Sequence, residues 1–213
     1  MDTRVKICGI TSVADGLTAA EAGADMIGLM FYEQSPRHIT LTQAAEISRA
    51  LPLHVMRVGV FVNPDEALVL RAIGKCGLGL LQFHGDEPSD FCTQFGIMNM
   101  KALRVRDAAS LSALEQFNTD AFLLDAYSKQ GLGGTGETFN WDLAVAARKF
   151  GKPIFLAGGL TPQNVAAAVR HVQPFAVDVS SGVESAPGKK DPAKVRAFIQ
   201  AVKESSGVVA PPV

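Results

Sequence analysis

Cysteine is scarce: only Cys8, Cys76 and Cys92 occur in 213 residues. No two of them form a C-x-x-C pair, which excludes a disulfide framework or a zinc cage and fits a reduced compartment. An excess of either charge is missing as well. Twenty basic against twenty-one acidic side chains leave a formal net charge of −1, and no five like charges run together. Such a balance gives no footprint for wrapping nucleic acid or docking on an anionic membrane. No apolar run approaches the ~20 residues needed to span a bilayer. Met1 to Arg4 lead straight into a strand-like segment rather than a signal peptide. The expectation is a cytoplasmic protein with no nucleic-acid or membrane partner, whose charged partner is small.

What is present is apolar and regularly spaced. Hydrophobic residues make up 47% of the chain, enough for one domain with a large core. Eight short β-rich runs recur at 5–8, 26–31, 55–61, 79–83, 98–103, 121–125, 153–157 and 175–179. Stretches of helical periodicity separate them, at 14–22, 43–51, 67–73, 108–117, 143–150, 164–172 and 193–202, with Cys76 and Cys92 on the third and fourth helices. Asn63-Pro64, Thr161-Pro162 and Asp191-Pro192 read as an N-cap with proline at the first helical position, and Asn140 as a further cap. Gly23, Gly74, Gly96 and Gly151 read as helix ends. Eight strand–helix units in a chain this short sit near the lower size limit of a (β/α)8 barrel. The domain is expected over 1–204, with a frayed tail at 205–213. An open doubly wound sheet would call for G-x-G-x-x-G after the first strand, where only Gly9-Ile10-Thr11 stands.

In such a barrel the functional groups sit where strands end. Cys8 closes strand 1 beside a glycine that lets a ligand approach. Lys6, two residues earlier, faces the same way and is expected to favour the thiolate. Cys76 and Cys92 read as small buried hydrophobes. Asp125 ends strand 6 after four apolar residues, a costly place for an acid unless it is partnered, and the setting a general acid needs. Asp178 interrupts strand 8 in the same way; since strand 8 meets strand 1, it fits an ion pair with Lys6 equally well. Gly131 to Gly136 lie in a long, glycine-rich connection that reads as a lid or an anion cradle, with Gly133, Gly134, Thr135 and Gly136 at its centre. Gly158-Gly159 after strand 7 and Ser180-Ser181-Gly182 after strand 8 occupy the loops that bind phosphate in many such barrels. Arg37 suits a planar carboxylate. Gln82 and His84 alternate at the end of strand 4, where a structural histidine and a substrate contact are equally compatible with the pattern.

These segments resemble the phosphoribosylanthranilate isomerase family of tryptophan biosynthesis. The likeness is carried by Lys6-Ile7-Cys8-Gly9-Ile10-Thr11, Ser35-Pro36-Arg37, Leu81-Gln82-Phe83-His84-Gly85, Leu123-Leu124-Asp125, Gly133-Gly134-Thr135-Gly136, Leu156-Ala157-Gly158-Gly159-Leu160 and the run from Asp178 to Glu184. It extends from residue 4 to about 203. Phe83 replaces a common leucine, and Asn140 an aspartate. The resemblance implies a TIM barrel of the ribulose-phosphate-binding type. It also implies an Amadori rearrangement of N-(5-phosphoribosyl)anthranilate, with Cys8 as general base and Asp125 as general acid. Phosphate would rest on Gly158, Gly159, Ser180, Ser181 and Gly182, the anthranilate near Arg37, and the sugar near Asp178, with Gln82 and His84 as further contacts. No cofactor or metal is implied, and the protein is expected as a monomer or homodimer. Other phosphosugar barrels, such as an indole-glycerol-phosphate synthase or a histidine-pathway isomerase, would share the loop glycines but not the pairing of Cys8 with Asp125. A thiol redox protein would need a resolving cysteine, and a pure phosphosugar binder would not need the acid.

Overall fold

The apolar runs form eight parallel strands that close into a barrel in chain order: β1 (Arg4–Cys8), β2 (Met26–Met30), β3 (Met56–Phe61), β4 (Leu80–Phe83), β5 (Met98–Val105), β6 (Ala121–Ala126), β7 (Ile154–Leu156) and β8 (Ala176–Val179). The computed structural model describes residues 2–126 and 141–205. The lid residues Gly133, Gly134, Thr135 and Gly136, and the cap Asn140, lie outside the described residues. Closure joins β1 to β8, with Val5 opposite Val177 and Lys6 opposite Asp178.

Strand residues alternate between two cores. One set, including Met26, Val58, Leu80, Met100, Leu123 and Phe155, fills the barrel interior. The other, including Ile7, Ile27, Leu81, Phe122, Leu156 and Val177, packs outward beneath the helices. These are α1 (Val13–Ala22), α2 (Leu41–Ala50), α3 (Glu66–Cys76), α4 (Ser89–Thr93), α5 (Trp141–Ala147), α6 (Val165–Val172) and α7 (Pro192–Ser205). The starts of α1, α2 and α7 are set by side chains that satisfy free backbone N–H groups. Ser12 accepts from Asp15 N, Thr40 and Gln43 form a reciprocal capping box, and Asp191 accepts from Ala193 and Lys194 N.

Several expected boundaries move. Asp65, not Asn63, caps α3; Asn63 sits at φ +48° and turns its side chain to accept from Asp86 N across the next loop. Thr161-Pro162 opens a turn, tied by Thr161 N donating to Asn164 Oδ1, and α6 begins only at Val165. Gly74 lies inside α3, whose left-handed end is Gly77, and α4 ends at Thr93, with Gln94 as its C-cap, ahead of Gly96. The expected fifth helix is a 3₁₀ helix, Ala108–Gln116. Its buried residues Leu111 and Leu114 are three apart, the spacing that eclipses side chains in that geometry. Beyond β8 the chain adds an unexpected antiparallel hairpin, β9 (Glu184–Ala186) with β10 (Lys189–Lys190). Ser205, expected to begin the tail, is instead the buried last residue of α7.

Candidate active site

The inward alternation continues past the last apolar layer: Leu80 is followed by Gln82 and His84, Leu123 by Asp125, Ala176 by Asp178, and Lys6 by Cys8. The polar ends converge on a cavity of about 370 Å³ at the C-terminal mouth of the barrel, a size suited to a small ligand. Cys8, Arg37, Gln82, His84, Asp125 and Asp178 line it, and so do Gly158, Gly159 and Ser180 to Gly182. Every expected site residue within the described part of the chain therefore shares one cavity. Among the described residues no group of three or more His, Cys, Asp or Glu side chains is placed to hold a metal ion.

Cys8 is buried above Lys6, whose fully buried ammonium donates to Asp178 Oδ1 at 2.8 Å. Asp178 thus takes the ion-pair role left open from the sequence while still facing the cavity. The thiol itself departs from expectation. Burial pushes it above its ordinary value, Lys6 and Lys190 pull it down, Asp178 adds to the rise, and the net direction is upward. Lys6 does attract the thiolate, but desolvation outweighs that attraction. Burial also opposes the charge on Lys6, yet Asp178 and Cys8 hold its ammonium above the usual range. Gly28 makes room for this group. A Cβ there would stand 2.7 Å from Cys8 Sγ and 3.1 Å from Lys6 Nζ. Cys76 and Cys92 are buried in the helical layer, and burial pushes the Cys92 thiol up to about 11.

Asp125 does have a dedicated partner: His84 Nε2 lies 3.5 Å from its Oδ2. Gln82 Nε2 sits 3.2 Å from His84 Nδ1, so the two residues form a row leading to the carboxylate. Gln82 Oε1 is buried and has no hydrogen-bond partner among the described residues, an arrangement that awaits a donor from a ligand. The loop carrying His84 is braced by a buried pair. Lys101 Nζ donates to Glu87 Oε2 at 2.6 Å and to Gly85 O at 2.7 Å, while Glu87 Oε1 accepts from Asn63 N at 2.7 Å.

On the opposite wall, Gly158 (φ +84°) and Gly159 (φ +65°) adopt left-handed backbone, which favours glycine. Asn164 Nδ2 fixes this loop by donating to Gly159 O at 2.9 Å. Gly182 lies against the carbonyl of Leu160 so closely that no Cβ fits. Loops 7 and 8 are thereby locked together. Ser180 Oγ is buried without a partner among the described residues. Among the described residues, no turn or loop hydrogen bond engages the backbone N–H groups of Gly158, Gly159, Ser181 and Gly182. N–H groups and a hydroxyl at converging turns form a cradle for an anion.

Glu184 and Lys190 received no role from the sequence. Arg37 donates through Nε to Glu184 Oε1 at 2.8 Å and through Nη2 to Glu184 Oε2 at 2.7 Å. Lys190, fully buried, donates to the same Glu184 Oε1 at 2.8 Å and to Ser180 O at 3.2 Å. Burial alone would raise the Glu184 carboxyl, but Arg37 and Lys190 hold it below its ordinary value. The available signal was an acid and a base flanking the turn Ala186-Pro187-Gly188, which reads as a hairpin tip.

The family model described as N-(5'phosphoribosyl)anthranilate (PRA) isomerase matches residues 5–201. The N-(5'-phosphoribosyl)anthranilate isomerase of Geotalea daltonii is 54% identical over 205 residues, covering 96% of this chain and 99% of its own. The phosphoribosyl anthranilate isomerase of Thermotoga maritima, known from a crystal structure, superposes with a TM-score of 0.88 at 41% identity, covering 95% of this chain and 99% of that one. A crystal structure of a phosphoribosyl anthranilate isomerase in complex with reduced 1-(o-carboxyphenylamino)-1-deoxyribulose 5-phosphate is 40% identical with a TM-score of 0.84, covering 95% of this chain and 99% of its own.

Proposed function

The chain belongs to the N-(5'-phosphoribosyl)anthranilate isomerase family, and we propose that its cavity performs the isomerisation of that substrate, in tryptophan biosynthesis, with Cys8 as general base and Asp125 as general acid. The observation that carries the assignment is the meeting of these two groups in one cavity. β1 and β6 lie three strands apart around the ring through β8 and β7, so they reach a ligand on the axis from different sides.

The chemistry uses both. Asp125 delivers a proton to the furanose oxygen as the C1–O bond breaks, leaving an iminium at C1. The Cys8 thiolate removes the proton from C2, and the C2–H electrons form the C1–C2 double bond as the iminium electrons return to nitrogen. The enol hydroxyl then loses its proton while C1 gains one, giving the ketose. Nothing is gained or lost overall, and the substrate's own nitrogen is the electron sink. The phosphate rests on the N–H groups of Gly158, Gly159, Ser181 and Gly182 and on Ser180. Arg37 faces the anthranilate carboxylate, and Asp178, Gln82 and His84 the sugar. A base that must remain a free thiol favours a reducing, cytoplasmic location.

The test is loss of the anthranilate fluorescence signal on adding the protein to freshly prepared phosphoribosylanthranilate. Cys8→Ser should slow turnover by at least the ~10²-fold typical of lost acid–base catalysis, with product-analogue affinity little changed. A serine variant with wild-type turnover in a rate-limiting chemical step rejects the base assignment.

A further inference from the structure

We infer that Glu184 is a positioning residue for this reaction: it holds Arg37 by one edge of the guanidinium so that the other edge selects ligands carrying the ring carboxylate. The inference rests on the reading of Arg37 as the carboxylate contact. A guanidinium has five N–H donors in a fixed fork. Glu184 takes the Nε proton and one Nη2 proton. The two Nη1 protons and the second Nη2 proton remain, and one Nη1 proton with that Nη2 proton forms a second two-pronged edge that matches another planar carboxylate. One arginine can then bridge two carboxylates, the protein's and the ligand's.

The clamp is rigid. The Glu184 side chain is only 5% exposed, and the Lys190 side chain that also grips it is fully buried. Lys190 N donates to Asp15 Oδ2 at 3.1 Å, and Thr11 Oγ1 donates to Gly188 O at 2.5 Å, tying the β9–β10 hairpin to the loop after β1 and to α1. The Arg37 stem lies over Gly9, where φ is +70° and a Cβ would stand 2.5 Å from Arg37 Cδ. Rotamer freedom that a free arginine would lose on binding is already lost. With Arg37 and Lys190 against a single carboxylate, the group keeps one positive charge toward the cavity and favours an anion.

The experiment compares two probes by calorimetry: reduced 1-(o-carboxyphenylamino)-1-deoxyribulose 5-phosphate and its phenylamino counterpart without the carboxylate. Glu184→Gln should lose about 10-fold or more in affinity for the first, the scale of a misaligned charge-assisted pair, and keep its affinity for the second. Its KM for phosphoribosylanthranilate should rise by a similar factor with kcat nearly unchanged. Equal losses for both probes would mean that Glu184 only supports the fold, and would overturn the inference. Should the buried, unpaired Lys190 prevent folding, Glu184→Gln combined with Lys190→Met removes that charge, and the same comparison applies. Arg37→Ala separates the two levels of the argument. If it retains the wild-type preference for the carboxylate, Arg37 is not the contact and the reading beneath falls. If it abolishes the preference while Glu184→Gln keeps it, Arg37 stands and the positioning role of Glu184 is rejected.

Discussion

Lys6 and Asp178 stand opposite each other where β1 meets β8, joined at 2.8 Å, with the lysine side chain fully buried and the aspartate side chain 10% exposed at the cavity. The pair exists only because the barrel closes, since 172 residues separate its members in sequence. It sets the charge beneath Cys8. Burial raises the thiol most, and beneath that Lys6 pulls it toward ionisation while Asp178 pushes it away.

The unequal exposure of the pair makes its two deletions unequal. Asp178→Asn strands an ammonium with no access to water, and the loss should be about 3–5 kcal/mol, as when one member of a buried ion pair is removed. Lys6→Met leaves a carboxylate that still reaches solvent through the cavity, and should cost clearly less. Urea denaturation of both variants checks the order. Equal losses would show that exposure does not control the cost.

Gly28 should tolerate no side chain, although its backbone is ordinary β-strand. A Cβ would meet Cys8 Sγ at 2.7 Å and the Cys8 Cα at 3.0 Å, and backbone yields less readily than the end of a flexible side chain. Gly28→Ala is expected to displace the thiol and reduce kcat by about 10²-fold, the scale of a misplaced reacting group. A folded alanine variant with unchanged kcat would show that the thiol has room to move.

How far the sequence predicts this arrangement depends on the distance over which each feature is specified. The barrel was legible because each strand is a short apolar run. The site was legible because period-2 alternation carries inward positions from Leu80 to Gln82 and His84, and from Leu123 to Asp125. Helix starts were less so. Proline after Asn63 and Thr161 fixes a turn as readily as a first helical turn; α3 is capped instead by Asp65, which accepts from Leu68 N, and the Thr161 turn is closed by Asn164, which accepts from Thr161 N. The grip of Glu184 on Arg37 spans 147 residues and has no local signature. The direction of the Cys8 shift was missed for a related reason: Lys6 is visible two residues away, whereas the burial that outweighs it comes from the whole closed barrel.

The raised Cys8 thiol fixes the sign of the pH dependence. The proposed base is the thiolate, and a value above the ordinary thiol range leaves most of the free protein protonated at neutral pH. The kcat/KM profile should climb with pH along an alkaline limb that lies above the range of a free cysteine. Since Asp178 contributes to the rise, Asp178→Asn should move that limb to lower pH, whereas Cys8→Ser should remove it. A limb below the free-thiol range in the wild type would show that Lys6 and Lys190 outweigh burial after all.

Loops 7 and 8 should bind inorganic phosphate without a cationic side chain of their own. Ser180 Oγ, buried and unpartnered, gains an acceptor when the anion arrives. Ser180→Ala should therefore weaken phosphate by about 10-fold, the loss of one hydrogen bond to a charged group, while thermal stability is unchanged or improved. Crystals grown in sulfate should hold an anion against Gly158, Gly159, Ser181 and Gly182. An anion found on Arg37 with those loops empty contradicts the placement.

Asp125 is the residue proposed to supply the proton for ring opening, and its surroundings separate a proton donor from a mere hydrogen-bond donor. Its carboxylate lies in the cavity with His84 Nε2 at 3.5 Å from Oδ2, and the imidazole is approached from behind by Gln82. Asparagine at 125 keeps the shape and can still donate a hydrogen bond to the furanose oxygen, but it cannot transfer a proton. Asp125→Asn should therefore bind the reduced product analogue within a few-fold of wild type and lose at least the ~10²-fold typical of acid catalysis in single-turnover rate. His84→Gln removes the imidazole and leaves the carboxyl in place, so it should reduce the rate by a smaller factor. If the asparagine variant opens the ring at the wild-type rate, the proton comes from elsewhere. If His84→Gln is as damaging as Asp125→Asn, the two act as one unit, and the acid is the pair rather than the aspartate alone.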